Sequence, residues 1–312
     1  MQNKISIGID IGGTNIEVGW VKADGTVIKH LIFKTSRFEQ PELLVEEVGN
    51  AILKENQEFS SDEIIGIGIG APNGNYYNGT IEFAPNLGWE GIIPLAEMFI
   101  EKTGINTKLT NDANAAAYAE MIYGGAQEMN DFLVVTLGTG LGSGIVINRN
   151  ILYGSTGFAG ELGHTIVENN GRECGCGRKG CLETYASATG IVKTINNYLE
   201  LSKKDSSLRS LEVIESEDIF EAAVEGDDYA NKAIEYTGTI LGKHLADYIA
   251  LFSPEAIFLT GGLAKAHSLL IPSIEKAMDE NILKIFKNTV KVYPSVLMEQ
   301  NAGLLGAAAL HS

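Results

Sequence analysis

The chain has 312 residues, 45% of them hydrophobic, enough to bury a large core and to divide into two domains of ordinary size. Its 40 acidic against 23 basic residues leave a net charge of -17, which disfavours nucleic acid and anionic membrane surfaces as partners. No apolar run approaches membrane-spanning length, and Met1 to Lys4 lead straight into Ile5-Ser6-Ile7-Gly8-Ile9-Asp10 with no signal-peptide pattern, so a cytoplasmic protein is expected.

Apolar alternation predicts strands over 4–10, 15–21 and 26–33, with Asp24-Gly25 as a hairpin turn, and a helix from Pro41 to about Glu55. There follow an apolar run from Ile64 to Ile69, a Gly-, Pro- and Asn-rich loop from Ala71 to Gly91, a helix near Pro94 to Lys102 and a strand near Lys108 to Thr110. A second ribbon rises through Phe132 to Leu137, turns at Gly138-Thr139-Gly140 and returns through Ile145 to Ile147. Both ribbons put a glycine-rich turn between apolar strands, which suggests two similar halves facing one ligand.

The remainder reads as helices at Thr184 to Glu200, Glu217 to Glu225, Asp228 to Leu251 and Leu269 to Asn281. A buried strand at Ala256 to Leu259 ends in Thr260-Gly261-Gly262, Ser202 to Ser210 reads as a solvated loop, and the 301–310 segment as a helix packed back on the first domain.

All three cysteines lie in Cys174-Gly175-Cys176 and the nearby Cys181, with His164 upstream. Three sulfurs and one imidazole suit tetrahedral zinc, and a closed set of four protein ligands makes that zinc structural. The alternative, unliganded thiols, expects apolar surroundings, whereas these sit among Gly175, Arg178, Lys179 and Gly180. Glu161, three residues before His164, shares a face with it on a helical turn, and Glu183 follows Cys181 by two.

In Asp10-Ile11-Gly12-Gly13-Thr14-Asn15, bare backbone amides can reach phosphate oxygens while Asp10 holds Mg²⁺, but a plain tight hairpin is about as good a reading of the residues alone. No Gly-Lys-Ser/Thr follows these glycines, so the turn is not a Walker loop. Asn111-Asp112 opens a helix over Ala113 to Tyr118, and its spacing alone favours an N-cap role for the aspartate.

Together, Asp10-Ile-Gly-Gly-Thr-Asn15, Asn111-Asp-Ala-Asn-Ala-Ala116, Glu161-Leu-Gly-His164 and Cys174-Gly-Cys-Gly-Arg-Lys-Gly-Cys-Leu-Glu183 resemble the signatures of the ROK family of sugar kinases and repressors, and Pro85-Asn-Leu-Gly-Trp89 with Glu183-Thr-Tyr-Ala-Ser187 most resemble its bacterial glucokinases. The resemblance implies an α/β, two-domain actin-like/hexokinase (ribonuclease H-like) fold with an ATP and sugar cleft between domains. The expected limits are a small domain of 1–115 plus 300–312 and a large domain of 116–299 carrying the zinc loop.

The resemblance further implies that Asp112 is the general base, with Asn111, Glu161, His164, Glu183 and, in Phe83-Ala-Pro-Asn-Leu-Gly-Trp89, Asn86 as sugar ligands. ATP falls to Gly12, Gly13, Thr14, Asn15, Thr139, Gly140, Gly261 and Gly262, magnesium to Asp10, and zinc to His164, Cys174, Cys176 and Cys181. A homodimer or homotetramer is implied as well.

Glucose is the favoured hexose, with N-acetylglucosamine, N-acetylmannosamine, mannose and fructose as alternatives. A non-catalytic ROK sugar sensor or transcriptional regulator is the rival from another class. Such repressors carry a helix-turn-helix ahead of the first strand, where this sequence has only a few residues.

Overall fold

The computed structural model describes residues 4–60, 62–84 and 87–312. In chain order the principal elements are β1 Ile5–Ile11, β2 Asn15–Lys22, β3 Val27–Lys34, α1 Pro41–Glu55, β4 Ile64–Ala71, β5 Gly74–Asn75, β6 Thr80–Glu82, β7 Ile92–Ile93, α2 Leu95–Thr103, β8 Thr107–Asn111 and α3 Asp112–Ile122. There follow β9 Phe132–Leu137, β10 Leu141–Ile147, β11 Asn150–Ile151, α4 Ala188–Leu201, α5 Ser216–Val224, α6 Asp228–Phe252, β12 Ala256–Thr260, α7 His267–Asn281, β13 Lys291–Pro294 and α8 Ala302–Ala309. The α/β class expected from the sequence is the class observed.

The chain forms two compact units, the first of Met1–Met129, Gly144–Gly160 and Glu299–Ser312, the second of Asn130–Ser143 and Glu161–Met298. The limit falls at Met129/Asn130 and not at 115/116, because α3 runs unbroken from Asp112 to Ile122 and packs along α8.

The first unit is built on a sheet of order β3-β2-β1-β4-β8, in which β1, β2 and β3 are antiparallel while β1, β4 and β8 are parallel. Alternation decides its two faces. Ile5, Ile7, Ile9, Ile67 and Ile69 join Leu44, Val48 and Ile52 of α1 and Leu95 and Phe99 of α2 in one buried core. The opposite face of β4 is Gly66, Gly68 and Gly70, and α8 lies directly on it. A Cβ at Gly68 would stand 1.8 Å from the Ala307 carbonyl oxygen, and one at Gly8 of β1 2.2 Å from that of Leu304. The isoleucine-glycine alternation is what lets a helix backbone rest on a strand.

In the second unit β9, β12 and β13 are parallel neighbours, with Thr260 opposite Thr136. Helix α6 is capped by Asp227, whose carboxylate accepts from the amides of Tyr229 and Ala230, and it packs closely on α7.

Two local expectations change. Helix α4 begins at Ala188, not Thr184, since Leu182–Thr184 forms a 3-10 turn and Ser187 supplies the cap by accepting from the Gly190 amide. The 71–91 stretch is not all loop: β5, β6 and β7 make a three-stranded sheet.

Candidate active site and metal centre

Parallel strands deliver their carboxyl ends to one edge, and in α/β sheets that edge is where ligands bind. In the first unit it carries Asp10 at the end of β1, beside Gly70, and Asn111 at the end of β8, beside Ala71. Asn111, not Asp112, caps α3: its Oδ1 accepts from the Ala113 amide at 2.9 Å. Asp112 thus occupies the first helical position, and the cap role that spacing alone favoured for it belongs to its neighbour. The Asn111 side chain also hydrogen-bonds the Asp112 carboxylate.

Asp112 has accessible surface, yet protein atoms crowd its carboxyl. That loss of hydration pushes it above the ordinary carboxylate range, against hydrogen bonds from the Ala113 and Asp112 amides and the Asn111 side chain. Burial likewise dominates at Asp10. A hydrogen bond from Asn301 opposes it and the negative charges of Asp112 and Glu17 reinforce it, leaving the carboxyl pushed up to about 6. Two crowded carboxylates that repel one another are a donor set suited to Mg²⁺.

The turn after β1 is held from both sides. The Gly12 amide donates to the Asn15 carbonyl at 2.9 Å, and Thr35 Oγ1 donates to the Gly12 carbonyl at 2.7 Å. Gly13 and Thr14 are exposed, and Asn15 Oδ1 accepts from Lys34 Nζ at 2.8 Å. Lys34, directly opposite Asn15 across the ribbon, puts a cation beside a turn read as phosphate-binding. Sequence reasoning missed it, as it missed Asn301, whose Oδ1 caps α8 through the Leu304 amide.

Within the second unit the same edge logic groups Thr139 and Gly140, after β9, with Gly261 and Gly262, after β12. Gly261 has φ +93°, and a Cβ there would lie 2.7 Å from the Leu137 carbonyl oxygen, so the glycine is required for the two strand ends to approach. The carbonyls of Gly138 and Thr139 accept from the Ala188 amide and from Thr189 Oγ1.

His164, Cys174, Cys176 and Cys181 converge, with one ligand atom from each lying within 4.8 Å of all the others. His164 Nδ1 is 3.7 Å from Cys174 Sγ, and Cys176 Sγ is 3.6 Å from Cys181 Sγ. Tetrahedral zinc with Zn–S near 2.3 Å sets such ligand pairs at about 3.8 Å, so the residues fit the ion. Cys174 and Cys181 are buried and Cys176 is exposed. Burial raises Cys176, but hydrogen bonds from Arg178 and the neighbouring thiols bring it down to about 6.

The two glutamates flank this cluster. Glu161 Oε2 is 3.9 Å from His164 Nε2, and Glu183 Oε1 is 3.6 Å from His164 Nδ1 and accepts from the Cys174 thiol at 2.9 Å. Glu183 also reaches the phosphate-type turn: a Cβ at Gly140 would stand 2.7 Å from its Oε2.

Asn86 lies outside the described residues. Near it, Trp89 is buried and its indole donates to the Phe38 carbonyl at 3.0 Å, which makes the aromatic a core anchor of the first unit. Asn73 is likewise used internally, its side-chain amide donating to the carbonyls of Glu82 and Phe83.

The chain is 34% identical over 311 residues to a glucokinase of Thermotoga maritima, covering 97% of this chain and 96% of that protein. It is 31% identical to a xylose repressor of Bacillus spizizenii, covering 98% of this chain and 76% of the repressor. Among solved structures it resembles a ROK family glucokinase from Streptomyces griseus in complex with glucose and AMPPNP, with TM-score 0.83, 32% identity and 98% of each chain covered. The two-unit α/β architecture is accordingly the actin-like/hexokinase fold of those sugar kinases. The ROK family model matches residues 6–312, and the chain belongs to the ROK family.

Proposed function

We propose that the chain is an ATP-dependent hexose kinase that transfers the terminal phosphoryl group of ATP to a sugar hydroxyl, with glucose as the preferred sugar and glucose 6-phosphate as product. The observation that carries the reading is Asp112: at the first helical position with Asn111 as the cap, hydrogen-bonded by that side chain and by the Ala113 amide, and with a carboxyl that crowding raises above the ordinary carboxylate range. A base so tuned accepts the proton of the attacking hydroxyl. Likeness to glucokinases over nearly the whole chain supports it.

Phosphoryl transfer asks a protein mainly for positioning and charge neutralisation. Gly12, Gly13, Thr14 and Asn15, with Thr139, Gly140, Gly261 and Gly262, take the nucleotide in this reading. Asp10 takes Mg²⁺, which when bound neutralises polyphosphate charge. Asn111, Glu161, His164 and Glu183 bind ring hydroxyls, joined by Asn86. Zinc on His164, Cys174, Cys176 and Cys181 is structural. Cys174 bound as a thiolate no longer donates to Glu183, which leaves that carboxylate to accept from sugar hydroxyls.

Clustered thiols suit a reducing, cytosolic setting, and no helix among the described residues is long and apolar enough to cross a membrane. Net charge disfavours nucleic acid as a partner. Assembly as a homodimer or homotetramer is carried over from the family resemblance, and light scattering tests it.

The deciding experiment is a coupled ADP-release assay with ATP and Mg²⁺ across glucose, N-acetylglucosamine, N-acetylmannosamine, mannose and fructose. The highest kcat/KM is expected for glucose. A higher value for an N-acetylated sugar replaces the substrate, and no turnover on any hexose overturns the kinase reading. That last outcome favours a sugar-responsive regulator, the reading that similarity to xylose repressors supports.

A further inference from the structure

The turn Gly138-Thr139-Gly140 hangs from the start of α4. The Ala188 amide, one of the helix's orphan first-turn donors, gives its hydrogen to the Gly138 carbonyl at 2.9 Å, and Thr189 Oγ1 donates to the Thr139 carbonyl at 2.8 Å. Ser187 lies 3.1 Å from the Thr189 hydroxyl. Since the single Thr189 proton goes to Thr139, Ser187 is the donor in that pair, while its own oxygen accepts the Gly190 amide at 3.0 Å. A directed chain of hydrogen bonds thus runs from the α4 cap to the turn.

Peptide geometry then fixes where the neighbouring amides point. In a trans peptide the C=O and the next N–H point in opposite directions, and no cis bond occurs among the described residues. Drawing the carbonyls of Gly138 and Thr139 toward α4 therefore aims the amides of Thr139 and Gly140 away from it, side by side. Successive amides presented this way form an anion-binding concavity. Threonine at this second helical position is exposed and a poor helix former, so neither burial nor propensity accounts for it.

We propose that Thr189 is a positioning residue for nucleotide phosphates, its hydroxyl holding the Thr139–Gly140 amide in the orientation that receives a phosphate oxygen. The inference rests on reading Thr139 and Gly140 as phosphate ligands. Thr189 acts on the phosphate through the turn, while Ser187 in the cap of α4 donates to its hydroxyl.

The test is calorimetric binding of Mg-AMPPNP and, separately, of glucose to the full chain as wild type, Thr189→Val and Thr189→Ser. Valine keeps the shape and deletes the donor; serine keeps the donor. Losing one such hydrogen bond weakens Mg-AMPPNP binding by about five- to tenfold in Thr189→Val. Glucose affinity, zinc content and melting temperature stay at wild-type values, and Thr189→Ser restores nucleotide affinity. Wild-type nucleotide affinity in Thr189→Val overturns the proposal, as does a fall in glucose affinity and melting temperature alongside it that serine does not rescue. If the wild-type chain binds Mg-AMPPNP but phosphorylates no hexose, the kinase reading fails while the Kd ratio still judges Thr189. A wild-type chain that binds no nucleotide overturns both.

Discussion

Gly303 lies against the carboxylate of Asp10: a side-chain carbon at 303 would stand 2.6 Å from Asp10 Oδ2. The C-terminal segment thus crowds the proposed magnesium ligand from one side while Asn301, three residues after Met298, hydrogen-bonds it.

That crowding has a pH signature. The folded-state value of about 6 exceeds the ordinary 3.8, so the folded chain holds this proton more tightly than the unfolded one. Stability from this group is therefore full below pH 3.8, falls as pH rises toward 6, and stays lost above it. Asp10→Asn should raise the melting temperature at pH 8 in magnesium-free buffer, raise it less at pH 4, and abolish magnesium-dependent turnover. Equal shifts at both pH values would show that the buried charge is not the cause.

Asp112→Asn keeps the shape of the side chain and removes the proposed base. It should bind glucose with near-wild-type affinity in calorimetry and lose about 10²–10⁴ in kcat. Near-normal turnover in the purified variant would refute the assignment.

The metal cluster makes a third prediction. Cys176→Ser leaves three ligands, and zinc measured by elemental analysis should drop together with sugar affinity or with the melting temperature. Zinc loss with sugar binding intact would confine the metal to a remote structural role, since Glu183 and His164 would then be placed without it.

Gly68→Ala tests the packing of α8. The added carbon meets the Ala307 carbonyl oxygen at 1.8 Å, backbone against backbone, so no rotamer change relieves it. Overpacking of this kind costs about 1–3 kcal/mol or more, seen as a lower denaturant midpoint. A wild-type midpoint would mean that α8 does not rest on β4 as described.

Much of this was legible in the residues. The strands and their order of appearance follow from apolar alternation, and the candidate metal cluster of one histidine and three cysteines from composition and spacing, because soft donors in so short a stretch have few other uses. What stayed hidden depends on partners distant in sequence. Lys34 looks like one more solvated charge until strand register sets it opposite Asn15. Thr189 and Asn301 look like ordinary helix-start residues until the strand ends bring Thr139 and Asp10 to them. Strands of two or three residues, as in β5 and β7, are too short to show any period. Asn111 and Asp112 are adjacent candidates for one cap, and only backbone geometry decides between them.

Gly140 carries a caution about motifs themselves. Its place in a glycine-rich turn invites the explanation that a phosphate needs bare backbone there, yet Glu183 already occupies the space a side chain would fill. The same carboxylate group touches Cys174 with its other oxygen. Glu183 is thus by itself a sufficient reason for glycine at 140, alongside the phosphate contact proposed above. Loss of activity on replacing Gly140 therefore has two possible sources, and Mg-AMPPNP affinity measured in Gly140→Ala, Glu183→Ala and the double mutant separates them.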